Sequence, residues 1–321
     1  MEGHEKKRKI LITGGLSFIF SYVTEYFVQK EWDVVVIDNC STGSNPQICD
    51  GSFVHHNVDF CTKKGYELAI KENPDYFIHA AAQTDVDYSI LHPGETLRNN
   101  ALSTFNAFEA ARDMPHLRKF MYVATDEVYG DHDVRKSEED ALLPQNPYSS
   151  SKAIGSLLRE AYENTYPQLT GKIVELRSCN CFGYRQDIAK IIPQLVQSAL
   201  VGSSVPIHND GVGYREFIYV ENIPPIVELL LKEGEGPYNI SGHGTTVRDL
   251  VQTVEKIVDK EIKTYPAVRV GMDQYYKMDD SRLRALGYTP RFSFEEGLQR
   301  TLDRTKNQKG FSRKKSKKTK I

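Results

Sequence analysis

The stretch KILITGGLSFIF, Lys9 to Phe20, sets the architecture of the chain. Its first five residues are an apolar run that reads as a buried strand over 9–13. Gly14 and Gly15 break the run, and a helical pattern comes next, read over Ser21–Glu31. A strand that ends in glycine and feeds a helix leaves the first helical N–H groups facing out of a tight turn, a setting suited to phosphate. The usual loop of this kind has three glycines spaced three apart. Here Gly14 supplies the first, while Ser17 and Phe20 stand at the other two.

Outward from that loop, strand-like runs alternate with helical ones. DVVVID (33–38) precedes a loop rich in Ser, Thr, Gly and Asn (39–52), and SFVHHNVD (52–59) reads as a third strand. A short helix at Tyr66–Glu72, a strand DYFIHAAA (75–82) and a long helix over Pro93–Arg112 come next. KFMYVAT (119–125), a helix over Tyr148–Tyr166 and GKIVELR (171–177) complete the alternation. Near-continuous apolar strands alternating with helices predict an α/β fold with a doubly wound parallel sheet, a Rossmann domain over residues 9–177. From 178 to 304 helical segments at 187–201, 220–233 and 245–259 mix with short strands. This predicts a smaller mixed lobe, with some chain returning to the first domain. Residues 1–8 read as a charged tail and 305–321 as a basic disordered one, since KNQKGFSRKKSKKTKI has too little apolar content to fold alone.

The chain has 321 residues, 40% of them apolar, and a formal charge of −2, so the body has no general attraction for nucleic acid. No apolar run reaches the ~18 residues of a membrane span. The charged start leads directly into a strand, which speaks against a secretory signal. Five scattered cysteines fit reduced thiols and a cytoplasmic setting. Cys179 and Cys181 lack the spacing of a zinc pair, and no metal is expected.

Asp38 ends the second strand 18 residues after Phe20. An acid there accepts bonds from an adenosine ribose and repels a 2′-phosphate, which predicts NAD rather than NADP. Ser17 adds a Cβ where the backbone approaches the pyrophosphate. The Phe20 ring is expected to push helix and strand apart or to fill the phosphate site. Glycine at both positions is therefore expected to tighten NAD binding.

Two other stretches carry chemistry. Thr125-Asp126-Glu127-Val128-Tyr129-Gly130 lies at the carboxyl end of the fifth strand, where doubly wound sheets bind ligands. Its adjacent carboxylates can serve as an acid and a base on neighbouring atoms of one substrate. Tyr148-Ser149-Ser150-Ser151-Lys152 opens a helix, and at spacing four Tyr148 and Lys152 share a face. A nearby ammonium is expected to lower the tyrosine pKa from ~10 toward neutrality and make it a base for a sugar hydroxyl.

With these in place, the chain resembles the extended short-chain dehydrogenase/reductase family, and within it the nucleotide-sugar 4,6-dehydratases, most of all those acting on dTDP-glucose. The resemblance covers about residues 9–303. It rests on TGGLSFIF, HAAAQTDVDYS (79–89), ATDEVYGD (124–131), NPYSSSK (146–152), RSCNCFG (177–183), KIIP (190–193), GYREFIYVEN (213–222), YNISG (238–242) and RVGMDQYYKMDDSRLRALGY (269–288). The TDEVYG string is the most specific, because sister epimerases and decarboxylases carry other residues at the Asp-Glu pair.

The resemblance implies roles. Tyr148 takes the proton of the 4-hydroxyl as hydride passes to NAD, Lys152 tunes Tyr148 and holds the nicotinamide ribose, and Thr125 bonds the same hydroxyl. Glu127 removes the C5 proton and Asp126 protonates the departing 6-hydroxyl. Gly14, Ser17, Phe18, Ile19, Asp38, Asp59, Ala81 and Asn100 match cofactor contacts. Asn180, Lys190, Arg215, Asn222 and Arg269 match positions that grip a nucleoside diphosphate. Asp85 lies near the sugar, where a His is usual. A homodimer through the helices at about 94–112 and 148–166 is also implied. The substrate would be dTDP-glucose or UDP-glucose. The alternative is a non-catalytic or cofactor-impaired relative acting as a binding or scaffold protein, in which the altered glycine loop marks lost cofactor binding.

Overall fold

The computed structural model describes residues 7–268 and 275–307. β1 (Lys9–Thr13) leads into α1 (Phe18–Gln29), then come β2 (Asp33–Ile37), β3 (Val54–His56), α2 (Lys63–Glu72), β4 (Tyr76–His79), α3 (Val86–Leu91), α4 (Pro93–Arg112), β5 (Lys119–Thr125), α5 (Pro147–Thr165) and β6 (Ile173–Ser178). The second half holds β7 (Asn180–Phe182), α6 (Ile191–Val201), β8 (Val205–His208), β9 (Tyr214–Tyr219), α7 (Ile223–Glu233), β10 (Gly236–Ile240), β11 (His243–Thr246), α8 (Val247–Val258), β12 (Thr264–Ala267), α9 (Ser281–Ala285) and α10 (Phe294–Asn307).

Seven strands form one sheet in the order β10-β6-β5-β4-β1-β2-β3. Every pairing in it is parallel. The order reverses between β1 and β4, so the carboxyl ends of these strands open on a crevice, the usual ligand position of such sheets. Both faces are covered, and Ile10, Leu11, Ile12, Val36, Phe77 and Ile78 are fully buried. β10 belongs to this sheet although it lies beyond residue 178. The smaller lobe carries the sheet β11-β9-β7 and the pair β12-β8.

Local chemistry explains where the elements begin. α1 starts at Phe18, three residues before the sequence reading, with Ser17 in extended backbone as its N-cap. α2 starts at Lys63 because the Thr62 side chain accepts from the Gly65 N–H. α5 is opened by Asn146 and Ser149, whose side chains each accept a backbone N–H across the first turn as a capping box, with Pro147 at the first helical position. The third strand is only Val54–His56, shorter than 52–59. α3 is not in the sequence reading. It is six residues long and is capped by Asp85, which accepts the Tyr88 N–H. Cys179 and Cys181 are buried in the core, as strand-end packing requires.

The two lobes are tied through α1. The Arg185 guanidinium makes two 2.8 Å bonds to the two Glu25 carboxylate oxygens and lies 4.8 Å from the Tyr22 ring centroid. The Tyr22 hydroxyl donates to the Tyr184 carbonyl at 2.7 Å. Arg185 does this from left-handed backbone, φ 77°, a conformation a side chain adopts only where its surroundings fix it.

Candidate active site

The loop after β1 is shaped by close approach. Gly14 has φ +70°, and a Cβ there would meet the Ala81 Cα and N at 2.8 Å. Only glycine fits so near the end of β4. Leu16 is then pinned from two sides. Its N–H donates to Asp38 Oδ2 at 2.9 Å, and its carbonyl accepts from the Asn45 backbone at 2.7 Å and side chain at 3.1 Å. Asn45, missed in the sequence, sits in the long loop after β2 and is buried.

Phe20 has a different place from the one expected. Its ring is 3% exposed and belongs to the core cluster of Ile10, Ile12, Leu16 and Val23. The core under α1 has absorbed it, so the third glycine position is filled as packing volume. The Ser17 side chain makes no cap bond, and the amides of the first helical turn, from Phe18 and Ile19 onward, have no intrahelical partner. Asp38 uses one lone pair of each oxygen on Leu16 and Cys40, and each oxygen retains another for ribose hydroxyls. Asp59 is exposed just after β3, its Oδ1 accepting the Cys61 N–H. Glycine at the tight turn, free helix amides and an acid at the end of β2 together fit a dinucleotide.

Asn100 and Asn222 are engaged within the protein. Asn100 is 1% exposed; its amide accepts the Gln83 N–H and donates to the Gln83 carbonyl and to Ser151 Oγ. It positions the loop after β4 against α5. Asn222 makes the same two-way clasp with the backbone of Phe292. Both side chains are therefore committed to holding backbone within the protein. Asp85, expected beside the sugar, spends Oδ1 on capping α3.

The catalytic candidates converge at the end of β5 and the start of α5. Thr125 is 7%, Asp126 5%, Tyr148 8% and Lys152 3% exposed. Thr125 Oγ1 donates to Asp126 Oδ1 at 2.9 Å. Asp126 Oδ2 is buried with no hydrogen-bond partner among the described residues. Burial pushes the Asp126 carboxyl up to about 6, opposed by the Thr125 bond and the charge of Arg215. An acid so placed holds a proton close to neutrality and has one oxygen free to deliver it. Glu127 is half-buried, its Oε2 accepting from Asn146 Nδ2 at 3.1 Å.

The tyrosine–lysine pair departs from expectation. Burial raises the Tyr148 phenol well above its ordinary value, and the negative charges of Glu127 and Asp126 add to this, with a Thr125 hydrogen bond opposing. Lys152 Nζ lies over the Tyr122 ring, 4.8 Å from its centroid, and burial pushes it down to about 7. The phenol is thus set by burial and carboxylates, and a half-neutral Lys152 does little to counter them. On the substrate side Arg215 stands close enough to lower Asp126 and stacks on Tyr276 at 4.8 Å. Asn180 and Lys190 are exposed, and Arg269 lies outside the described residues. No helix among those residues is long and apolar enough to cross a membrane.

Comparison with known proteins places this geometry. Residues 10–241 match the NAD dependent epimerase/dehydratase family. The chain is 32% identical to dTDP-glucose 4,6-dehydratase 1 of Escherichia coli over 334 residues, covering 92% of each. It is 34% identical to the trifunctional UDP-glucose 4,6-dehydratase/UDP-4-keto-6-deoxy-D-glucose 3,5-epimerase/UDP-4-keto-L-rhamnose-reductase RHM2 of Arabidopsis thaliana over 318 residues, 93% of this chain and 47% of that one. It thus spans about half the length of the plant relatives it matches. The crystal structure of Thermus thermophilus UDP-glucose 4-epimerase in complex with NAD superposes with a TM-score of 0.87 at 29% identity, covering 94% of this chain and 99% of that one. A nucleotide loop, a Tyr–Lys helix and a match over most of the sequence agree: the chain belongs to the NAD-dependent epimerase/dehydratase family.

Proposed function

We propose that the chain is a nucleotide-sugar 4,6-dehydratase that takes dTDP-glucose or UDP-glucose to the 4-keto-6-deoxy sugar. The observation that carries this reading is Asp126: buried, pushed up to about 6, with one oxygen free and Glu127 beside it. Epimerases of the family share the fold, so the acid–base pair is what favours dehydration.

NAD would be held by the turn at Gly14, the amides of Phe18 and Ile19, the Ser17 side chain, and Asp38, with Asp59, Ala81, Tyr148 and Lys152 around it and Asn100 bracing the loop; the Ser17 amide itself donates to the Gly14 carbonyl at 3.1 Å. Once bound, it supplies a hydride acceptor at C4 and a donor at C6. The chain's own residues move the protons. Burial, Glu127 and Asp126 hold the Tyr148 phenol protonated in the chain alone; the positive nicotinamide of bound NAD would favour its ionisation, and Tyr148 would then take the O4 proton while Thr125 orients that hydroxyl. The resulting ketone acidifies C5, and Glu127 removes its proton. Asp126 gives its proton to O6, which leaves as water. Glu127 then returns its proton to C5. Arg215, Asn180, Lys190 and Arg269 are the proposed grip on the nucleoside diphosphate. Tight association of substrate with a single cofactor fits this cycle, because nothing is oxidised overall.

A homodimer is part of the proposal. α4 and α5 pack on one another, and Leu97, Leu102, Phe105 and Leu157 on them are exposed, an apolar surface suited to a second copy. The test of function is incubation with NAD and each nucleotide-sugar, followed by mass spectrometry for loss of one water. Product from either sugar supports the reading. No product and no bound dinucleotide leaves the scaffold alternative standing.

A further inference from the structure

Glu216 follows Arg215 on β9 and has no task in the dehydration just proposed, on which this inference rests. Its side chain is 1% exposed. Burial pushes its carboxyl up to about 7, opposed by the Met278 N–H and by Arg135. Both oxygens are spent on other segments. Oε1 accepts from Arg135 Nη1 at 3.1 Å, and Oε2 accepts the Met278 N–H at 3.3 Å. The same Arg135 nitrogen donates to the Met278 carbonyl. One carboxylate and one guanidinium thus hold both backbone groups of Met278.

The segments joined are those that the chemistry needs in register. Arg135 sits in the loop 131–136, which continues from the turn carrying Asp126 and Glu127. Met278 belongs to the segment 275–279, which runs along that loop. The Tyr275 N–H donates to Asp131 Oδ1 at 2.7 Å, and its carbonyl accepts the His132 N–H at 3.2 Å. The Lys136 N–H donates to the Lys277 carbonyl at 2.9 Å, and the Lys136 carbonyl accepts the Asp279 N–H at 2.8 Å. Tyr276, in the same segment, has the Arg215 guanidinium 4.8 Å from its ring centroid. Glu216 therefore lies where the strand of the proposed diphosphate grip, the extension of the acid–base turn and the segment stacked on Arg215 are tied together. Well-packed apolar residues often replace a buried ion pair without loss of stability, so packing alone gives no reason for a charge here. What the pair adds is a fixed placement of three segments.

We propose that Glu216 is a positioning residue: through Arg135 and Met278 it sets the sugar, gripped by its diphosphate at Arg215, against Asp126 and Glu127. It acts through these two residues and needs no contact with substrate.

The test uses the full chain with Arg135→Met, which keeps most of the bulk and removes the charge, and with Arg135→Lys. The Arg135 side chain is exposed, so neither change opens the core. A single Arg135 nitrogen makes both bonds, so a Lys ammonium can stand in for it. The positioning role predicts that Arg135→Met lowers kcat for the nucleotide-sugar by about 10²-fold, the cost of a misplacement of ~1 Å. The calorimetric Kd of dTDP or UDP, offered without the sugar, should stay at the wild-type value, and Arg135→Lys should recover most of the rate. If Arg135→Met does not fold, Arg135→Gln serves the same comparison. A parental kcat in folded Arg135→Met would overturn the role and leave the ion pair a matter of stability. A Kd that rises by the factor by which kcat falls, or an Arg135→Lys no faster than Arg135→Met, would overturn it as well. A wild-type protein that dehydrates neither sugar overturns the dehydratase reading instead, and this inference with it.

Discussion

Asp38 and Leu16 are joined across the nucleotide crevice: the Leu16 N–H donates to Asp38 Oδ2 at 2.9 Å. The acid that would receive the ribose therefore also holds the phosphate loop. NAD is expected to bind more tightly than NADP, because a 2′-phosphate would face a carboxylate that is already committed in place. Asp38→Asn should weaken NAD by about tenfold or more, since it trades a charge-assisted bond to one of two amides for an N–H facing a donor. Isothermal titration with both dinucleotides checks this. Tighter binding of NADP by the wild type would remove Asp38 from the ribose.

Phe20 in the core reverses one expectation drawn from the sequence. Phe20→Gly should not simply restore a loop. It should open a cavity under α1 and lower stability by about 3–5 kcal/mol, the usual cost of deleting a buried ring. Ser17→Gly leaves the core intact, so only that variant is expected to tighten NAD. Urea unfolding and NAD titration on the two single variants separate the effects. A Phe20→Gly protein of parental stability would show that the ring is poorly packed.

Glu127→Gln should divide the half-reactions. Oxidation at C4 needs Tyr148 and an acceptor and should survive. Exchange of the C5 hydrogen with deuterated solvent, and overall turnover, should fall by about 10²–10⁴-fold, because an amide is not a usable base. Exchange at the parental rate would move the base to another residue.

Asp126 carries a pH signature. Its folded pKa is raised from 3.8 to about 6, so its stabilising protonation is complete below 3.8 and lost as pH rises through about 6. At pH 8 the wild type keeps a buried charge that Asp126→Asn lacks. The variant is expected to be more stable there by up to roughly 3 kcal/mol, the worth of about two pK units. Near pH 4 the advantage should shrink toward nothing. Denaturant midpoints at the two pH values measure it, and an advantage that does not change with pH would mean that Asp126 ionises freely.

Much of this was readable in the chain. The period of strands and helices located the parallel sheet, and Pro93–Arg112 was bounded correctly because Pro93 starts the helix and apolar spacing carries it. The TDEVYG and YSSSK strings placed Asp126, Glu127 and Tyr148 at strand and helix ends that do converge. What escaped depends on partners distant in sequence. Asn222 looks like a ligand contact until Phe292, 70 residues on, is seen to occupy its amide. Asn45 has no local pattern, because its partner Leu16 is 29 residues away. Spacing put Lys152 on the face of Tyr148 but could not show its ammonium over Tyr122, since the choice of rotamer belongs to the packed interior. The Phe20 ring was misjudged for the same reason: a motif gives the identity of a missing glycine, and only the core shows what fills its space.

The Arg185–Glu25 clasp makes α1 a common axle for both halves of the molecule. One end of this helix follows the glycine turn, and its flank, at Tyr22 one turn in and Glu25 two turns in, grips the segment that leads to Lys190. A displacement of the helix cannot be confined to the nucleotide side. If the two ligands bind as proposed, their affinities are expected to be linked through these two bonds and the Tyr22 ring, and Arg185→Ala, titrated with each ligand in the presence and absence of the other, is expected to abolish that linkage.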